Sequence, residues 1–155
     1  MGYNIMLGKV TNDAFDGYAA NIGLDTDFIS PAPTTGTVTY RTYYHVFEMT
    51  DMTERPDNFG FYSDDDNPFV ANGRIDITAD FDDGEVTGTS ELLNVEAMLN
   101  GHDFVGTATW RGVDAELRGG VGRDSDGSNT LIGGFHASTP ETVFAGGMSG
   151  KEQQP

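Results

Sequence analysis

Apolar and polar positions alternate with a period of two through most of the chain, the mark of half-buried β-strands. Between Thr37 and Phe47, Val38, Tyr40, Thr42, Tyr44 and Val46 share one face, while Thr39, Arg41, Tyr43 and His45 share the other. From Arg74 to Phe81, Ile75, Ile77 and Ala79 oppose Asp76, Thr78 and Asp80; from Glu85 to Leu93, Val86, Gly88 and Leu92 oppose Thr87, Thr89 and Glu91. Asp83-Gly84 lies between these two segments and reads as a type I′ hairpin turn, in which both central residues take positive φ. Further strands are predicted at Asp103 to Trp110, Val113 to Gly120, Thr130 to Ala137 and Thr142 to Met148, with turns at Asn100-Gly101, Arg111-Gly112, Asp126-Gly127 and Ser138-Thr139-Pro140. A short amino-terminal strand near Tyr3 to Val10 completes the set.

The predicted fold is all-β: a single small antiparallel up-and-down β-barrel of about eight strands, closed so that no sheet edge is left exposed. Residues 1–35 are expected to supply the first strand and a long loop packing on the barrel, 36–151 the barrel core, and 152–155 a tail. Twelve of the 21 glycines fall between Gly101 and Gly150, and glycine inside strands marks close backbone approach, bulges or sharp coiling; a narrow barrel filled by side chains accounts for it. Two long loops interrupt the pattern. Asn12 to Thr35 carries Pro31 and Pro33, with one weak helical turn expected near Ala14 to Ile22; Met49 to Pro68 carries Pro56 and the run Asp64-Asp65-Asp66-Asn67. Loops of this length in compact domains are commonly functional, so the binding surface is expected on these two.

Charge narrows the function. Eight basic residues against 25 acidic ones leave a net charge of −17, which excludes nucleic acid as a partner because phosphate binding draws its affinity from clustered Lys and Arg. No apolar run is long enough for a spanning helix, and Asp114, Glu116 and Arg118 alternate along one strand where a membrane barrel would need an unbroken apolar band. Membrane insertion is therefore not expected. The start, Met-Gly-Tyr-Asn-Ile-Met, has no basic segment followed by an apolar stretch, so it does not read as a secretory signal; a lipid anchor would lie upstream of this sequence. With no cysteine there is no disulfide framework and no thiol nucleophile.

Candidate chemistry is sparse. Calcium would be held by Asp64, Asp66, Asp124 and Asp126, since hard cations want several carboxylate oxygens; Asp124-Ser125-Asp126-Gly127 imitates part of an EF-hand loop, but Gly133 stands where that loop needs a bidentate Glu. His45 and His102, with Tyr43 and Tyr44, are the candidate ligand-binding residues, because imidazole is a metal and haem ligand. Trp110 is expected in the core. No nucleophile elbow, phosphate loop or distinct carboxylate pair is present, and the chain does not read as an enzyme.

From about residue 70 onward the chain resembles the β-barrel domain of transferrin-binding-protein-B-like surface lipoproteins and solute-binding proteins. The stretches that carry the likeness are Ile75 to Phe81, Gly84 to Gly88, Phe104 to Ala108, Glu116 to Gly119, Leu131 to Phe135, and Val143 to Gly147 with Lys151. The resemblance implies a non-enzymatic binding module of a bacterial surface or secreted protein, extracellular or at the outer-membrane surface, that captures haem or an iron-carrier or host protein through loops. It carries no binding residue over to this chain. Two other readings stay open: a lipocalin-like carrier of a small apolar ligand, and a structural accessory barrel of a larger exported protein.

Overall fold

The computed structural model describes residues 2–11, 16–25, 28, 30–49, 70–138 and 143–153. Strands β1 (Gly2–Thr11) and β2 (Asp16–Asp25) pair only with each other, in an antiparallel two-stranded sheet running from Gly2 opposite Asp25 to Thr11 opposite Asp16. β3 is the two-residue Ser30–Pro31. The barrel is built from β4 (Thr37–Met49), β5 (Val70–Asp80), β6 (Glu85–Thr89), β7 (Leu93–Asn100), β8 (Asp103–Trp110), β9 (Val113–Arg123), β10 (Asn129–Ser138) and β11 (Val143–Glu152). Each pairs antiparallel with the next, and β11 returns to β4, with Val143 opposite Met49 and Glu152 opposite Tyr40. This closes the expected eight-stranded up-and-down barrel.

The membership of the eight differs from the expectation in two places. The amino-terminal strand lies outside the barrel, and its strand partner is residues 16–25, within the stretch Asn12 to Thr35 that was expected to be a loop with a helical turn near Ala14 to Ile22. The segment Glu85 to Leu93 divides into β6 and the start of β7. Ser90 makes the division: its amide and its hydroxyl both donate to Leu93 O, at 2.8 and 3.0 Å, while its Oγ accepts from Leu93 N at 3.1 Å. A serine side chain that bonds the backbone this way competes with the ladder and turns the chain. Leu92 is thereby left in the turn, 39% exposed, and Leu93 takes the inward position instead.

Parity sets the interior. Val38, Tyr40, Thr42, Tyr44 and Val46 of β4 point in, and the same alternation brings in Ile75, Ile77, Val86, Leu93, Val95, Phe104, Trp110, Leu117, Phe135 and Phe144. The glycines make room for these rings. A Cβ at Gly146 would collide with the Phe135 ring, and one at Gly119 would collide with the Phe104 ring and with Ile132 O. The barrel is narrow because aromatic rings cross it over glycine, as the interior of small filled barrels requires.

A second reason for the glycine-rich carboxy-terminal half is visible only in three dimensions. The β1–β2 hairpin lies against the outer side of β10 and β11, so these strands are buried on both faces. Outward-pointing Ile132, Val143 and Ala145 are 3%, 1% and 0% exposed. β9 is also covered at its end, where β3 continues the sheet opposite Gly122 and Arg123 beyond Asp103, the first residue of β8, and the ring of Phe28 lies on Gly122.

The turns follow the backbone rather than the dipeptide reading at one point. Asp83 does not take positive φ; the connection is the four-residue turn Phe81 to Gly84, with only Gly84 left-handed (φ 74°) and its amide donating to Asp80 O at 2.8 Å. Asp80 Oδ1 accepts from the amides of Asp82 and Asp83 at 3.0 and 3.1 Å. A short acidic side chain has stabilised an ordinary Asx turn here and left the I′ geometry unused.

Candidate functional site

Chain direction divides the barrel into two ends. Met49 and Val70 stand at one, from which residues 50–69 depart; Gly84, Gly101 and Gly127 stand at the turns of the other. Of the candidate calcium ligands, Asp64 and Asp66 fall in residues 50–69, outside the described residues.

At the first end the inward row of β4 finishes on a carboxylate. Glu48 follows Tyr44 and Val46 on the inner face, and its side chain is only 12% exposed. The indole Nε1 of Trp110, the last residue of β8, donates to Glu48 Oε2 at 2.5 Å. Arg111 then opens the turn to β9 with φ 48°, followed by Gly112 with φ 81°. Two successive positive φ values are the I′ twist that a two-residue hairpin needs, a job usually given to Asn or Asp followed by Gly. The arginine is held there by its side chain: its guanidinium carbon lies 5.0 Å from the centre of the Trp110 ring, and Nη1 is 3.7 Å from Glu48 Oε2. Tyr44 packs its ring edge-on against Trp110, with centroids 5.7 Å apart. These four residues brace this end of the barrel, tying the end of the inward row of β4 to the β8–β9 hairpin.

The opposite end is organised by one lysine. Lys151 Nζ lies 2.9 Å from Asp126 Oδ2 and 3.4 Å from Asp124 Oδ2. Hydrogen bonds from the Ser128 hydroxyl, Lys151 and the Ser128 amide hold the Asp126 carboxyl well below the usual carboxylate range. The Ser125 amide, and after it Lys151, lowers Asp124, and Lys151 is itself raised, first by its bond to Asp126. The charge a cation would bring to this loop is thus already supplied by Lys151, and among the described residues no three His, Asp or Glu side chains gather as a metal site. Deeper in, Asn129 Nδ2 donates to Glu152 Oε2 at 2.7 Å. Tyr40, opposite Glu152 in the ladder, has a buried hydroxyl without a hydrogen-bond partner among the described residues; burial first, then Glu152, pushes that phenol up.

The four residues singled out as ligand candidates are not brought together. Tyr43 and His45 lie exposed on the outer face of β4, Tyr43 at 55%, while Tyr44 points into the core at 5%. His102 is exposed in the β7–β8 turn, at the opposite end of the barrel from His45. Glu48 and Arg111, which brace the end of the barrel at which β4 finishes, are not among the residues that the sequence pattern singles out. The available signal was an arginine where a two-residue hairpin turn prefers Asn or Asp, next to the only tryptophan in the chain.

No protein-family model matches the chain, and no curated protein matches it either. Solved structures do. Transferrin binding protein B from Haemophilus parasuis Hp5 aligns with a TM-score of 0.60 at 14% identity, over 97% of this chain and 37% of that one. The isotype 1 transferrin binding protein B of serogroup B Neisseria meningitidis aligns with a TM-score of 0.58 at 16% identity, over 97% and 31%. The haemoglobin receptor HpuA from Kingella denitrificans aligns with a TM-score of 0.52 at 16% identity, over 97% and 55%. The chain therefore has the fold of the β-barrel lobes in these proteins, the fold that its own strand pattern and the resemblance over residues 75–151 both imply. It spans about a third of the two transferrin-binding chains and about half of the haemoglobin receptor.

Proposed function

We propose that this chain is a non-enzymatic binding module, extracellular or displayed at a bacterial outer-membrane surface, that captures a host or environmental protein through the connection carried at the Glu48 end of its barrel. One observation supports the reading: the barrel is filled, and the end at which β4 finishes is braced by Glu48, Trp110, Arg111 and Tyr44. Tyr40, Phe104, Trp110, Phe135, Phe144 and Met148 occupy the interior with at most 1% exposure. A carrier of apolar ligands needs that space empty, so the filled core favours the scaffold reading over a lipocalin-like one. Rigid strands that present a long loop are the usual way a binding surface is held in place. No helix among the described residues is long and apolar enough to cross a membrane.

A protein partner is favoured over free haem, because His45 and His102 stand at opposite ends of the barrel and cannot ligate one iron together. The net charge of −17 steers a basic partner surface toward the chain and predicts on-rates that fall with ionic strength. The solved neighbours suggest the first probes, since by name they bind transferrin or receive haemoglobin.

The test is surface-immobilised full chain exposed to transferrin, haemoglobin and haemin, beside a variant in which residues 50–69 are replaced by a short Gly-Ser connector. Saturable binding of either protein, lost in the variant while the β-sheet circular dichroism stays, supports the proposal. Equal binding by both chains, or binding of haemin alone, overturns it.

A further inference from the structure

Two neighbouring strands of the closed barrel carry a bare apolar spot on its wall. On the outer face, the antiparallel register lines up Asp80, Glu85, Met98, Val105 and Arg118 across β5 to β9, with Thr87, Glu96 and Thr107 forming the adjacent row. Met98 and Val105 are direct cross-strand partners and are 59% and 58% exposed, two of the four large exposed hydrophobics among the described residues. They line a groove of about 390 Å³ together with Glu85, Thr87, Glu96 and Gly106. The groove lies on β6 to β8, away from the β10–β11 face that the amino-terminal hairpin covers.

We propose that this groove is a docking surface for a basic polypeptide segment, one that lays an aliphatic side chain on Met98 and Val105 between Lys or Arg residues facing Glu85 and Glu96. Charge complementarity selects that occupant. Neither Glu85 nor Glu96 makes an ion pair among the described residues, so both carboxylates are available to an incoming cation. A second copy of the chain is a poor occupant: a two-fold contact would set each patch against itself, Glu85 and Glu96 included, on molecules that each carry −17. Strand addition is also unavailable, because β6, β7 and β8 are hydrogen-bonded on both sides; the segment must bind by its side chains. Methionine suits the task, since its flexible thioether adapts to differently shaped aliphatic partners. Arg118, opposite Val105 on β9, closes the far border with a positive charge. It directs the segment's cations toward the β6–β7 side.

None of the residues lining this surface belongs to 50–69, so its failure and the failure of the loop reading are distinguishable. The test is amide chemical-shift mapping of the full, isotope-labelled chain with a Gly-Ser peptide bearing a central Lys-Ile-Lys-Ile-Lys as probe, beside the same peptide with Glu for Lys. The expected result is saturable shifts confined to β6, β7 and β8, absent with the Glu peptide. Dissociation constants should weaken about fivefold in both Met98→Ser/Val105→Ser and Glu85→Gln/Glu96→Gln, the scale of two exposed ion pairs or two half-buried side chains. The charge-matched control Asp82→Asn/Glu91→Gln, in turns at opposite ends of the barrel, should change by less than about twofold. Shifts spread over the acidic surface, or a control that weakens as much as Glu85→Gln/Glu96→Gln, would show general electrostatic adhesion and overturn the proposal.

Discussion

Trp110 and Glu48 stand 62 residues apart in sequence, yet the indole of the one donates to the carboxylate of the other across the mouth of the barrel. The bond closes the interior at the point where strand β4 becomes the long connection. A carboxylate with 12% of its side chain exposed is costly unless its charge is met. Here the indole N–H and the Arg111 guanidinium meet it from one hairpin.

Removing the acceptor should therefore cost more than removing the cation. Glu48→Leu leaves the buried indole N–H unpaired and is expected to destabilise the fold by about 1–3 kcal/mol. Arg111→Asn loses a half-exposed ion pair and a cation–π contact but gains a residue better suited to positive φ, and its net effect should stay within about 1 kcal/mol. Urea unfolding followed by Trp110 emission reads both, because the chain has one tryptophan. A larger loss in Arg111→Asn than in Glu48→Leu would contradict this ranking.

Two of the tightest glycines should respond differently to a compensating change. Gly146→Ala puts a methyl group into the Phe135 ring and Gly119→Ala puts one against both the Phe104 ring and Ile132 O; neither glycine has positive φ, so the cost is steric, about 1–3 kcal/mol each. Adding Phe135→Leu should return part of the loss at Gly146, since the three nearest atoms all belong to that ring. Adding Phe104→Leu should not rescue Gly119, where backbone also blocks. Thermal melts of the four variants decide it.

Tyr40→Phe removes a hydroxyl that makes no protein hydrogen bond among the described residues. Its stability should equal that of the parent within about 1 kcal/mol, since no bond is lost and the desolvated polar group disappears. A drop of several kcal/mol in chemical denaturation would show that the hydroxyl has an essential partner.

The Lys151 cluster predicts a pH signature. Asp124 and Asp126 are lowered in the folded protein, so their contribution is present above the unfolded carboxylate pKa of about 3.9 and is lost as pH falls through the folded values. Lys151→Gln should accordingly melt below the parent at pH 6, with the gap shrinking as pH drops below about 4 and also as salt rises. A gap that is constant across that range would mean that Lys151 acts through packing of its stem alone.

The strands, their inward and outward faces and the filled interior were determined by the sequence itself, because alternation is a local property: once Tyr40 points in, Tyr44 must and Tyr43 cannot. Closure into a barrel was also legible, from the number of strands and the turns between them. Tertiary structure decided which eight strands close. The Ser90 turn, set by reciprocal bonds to Leu93, and the pairing of residues 2–11 with 16–25 rather than with the barrel are outcomes of competing hydrogen bonds that the period-two pattern does not rank. The burial of Ile132, Val143 and Ala145 likewise depends on a hairpin more than a hundred residues earlier folding back over them. The meeting of Glu48, Trp110 and Arg111 has the same origin. Parity alone sends Glu48 inward, where a charge is unwelcome, and only the fold supplies the N–H and the cation that make the position tolerable.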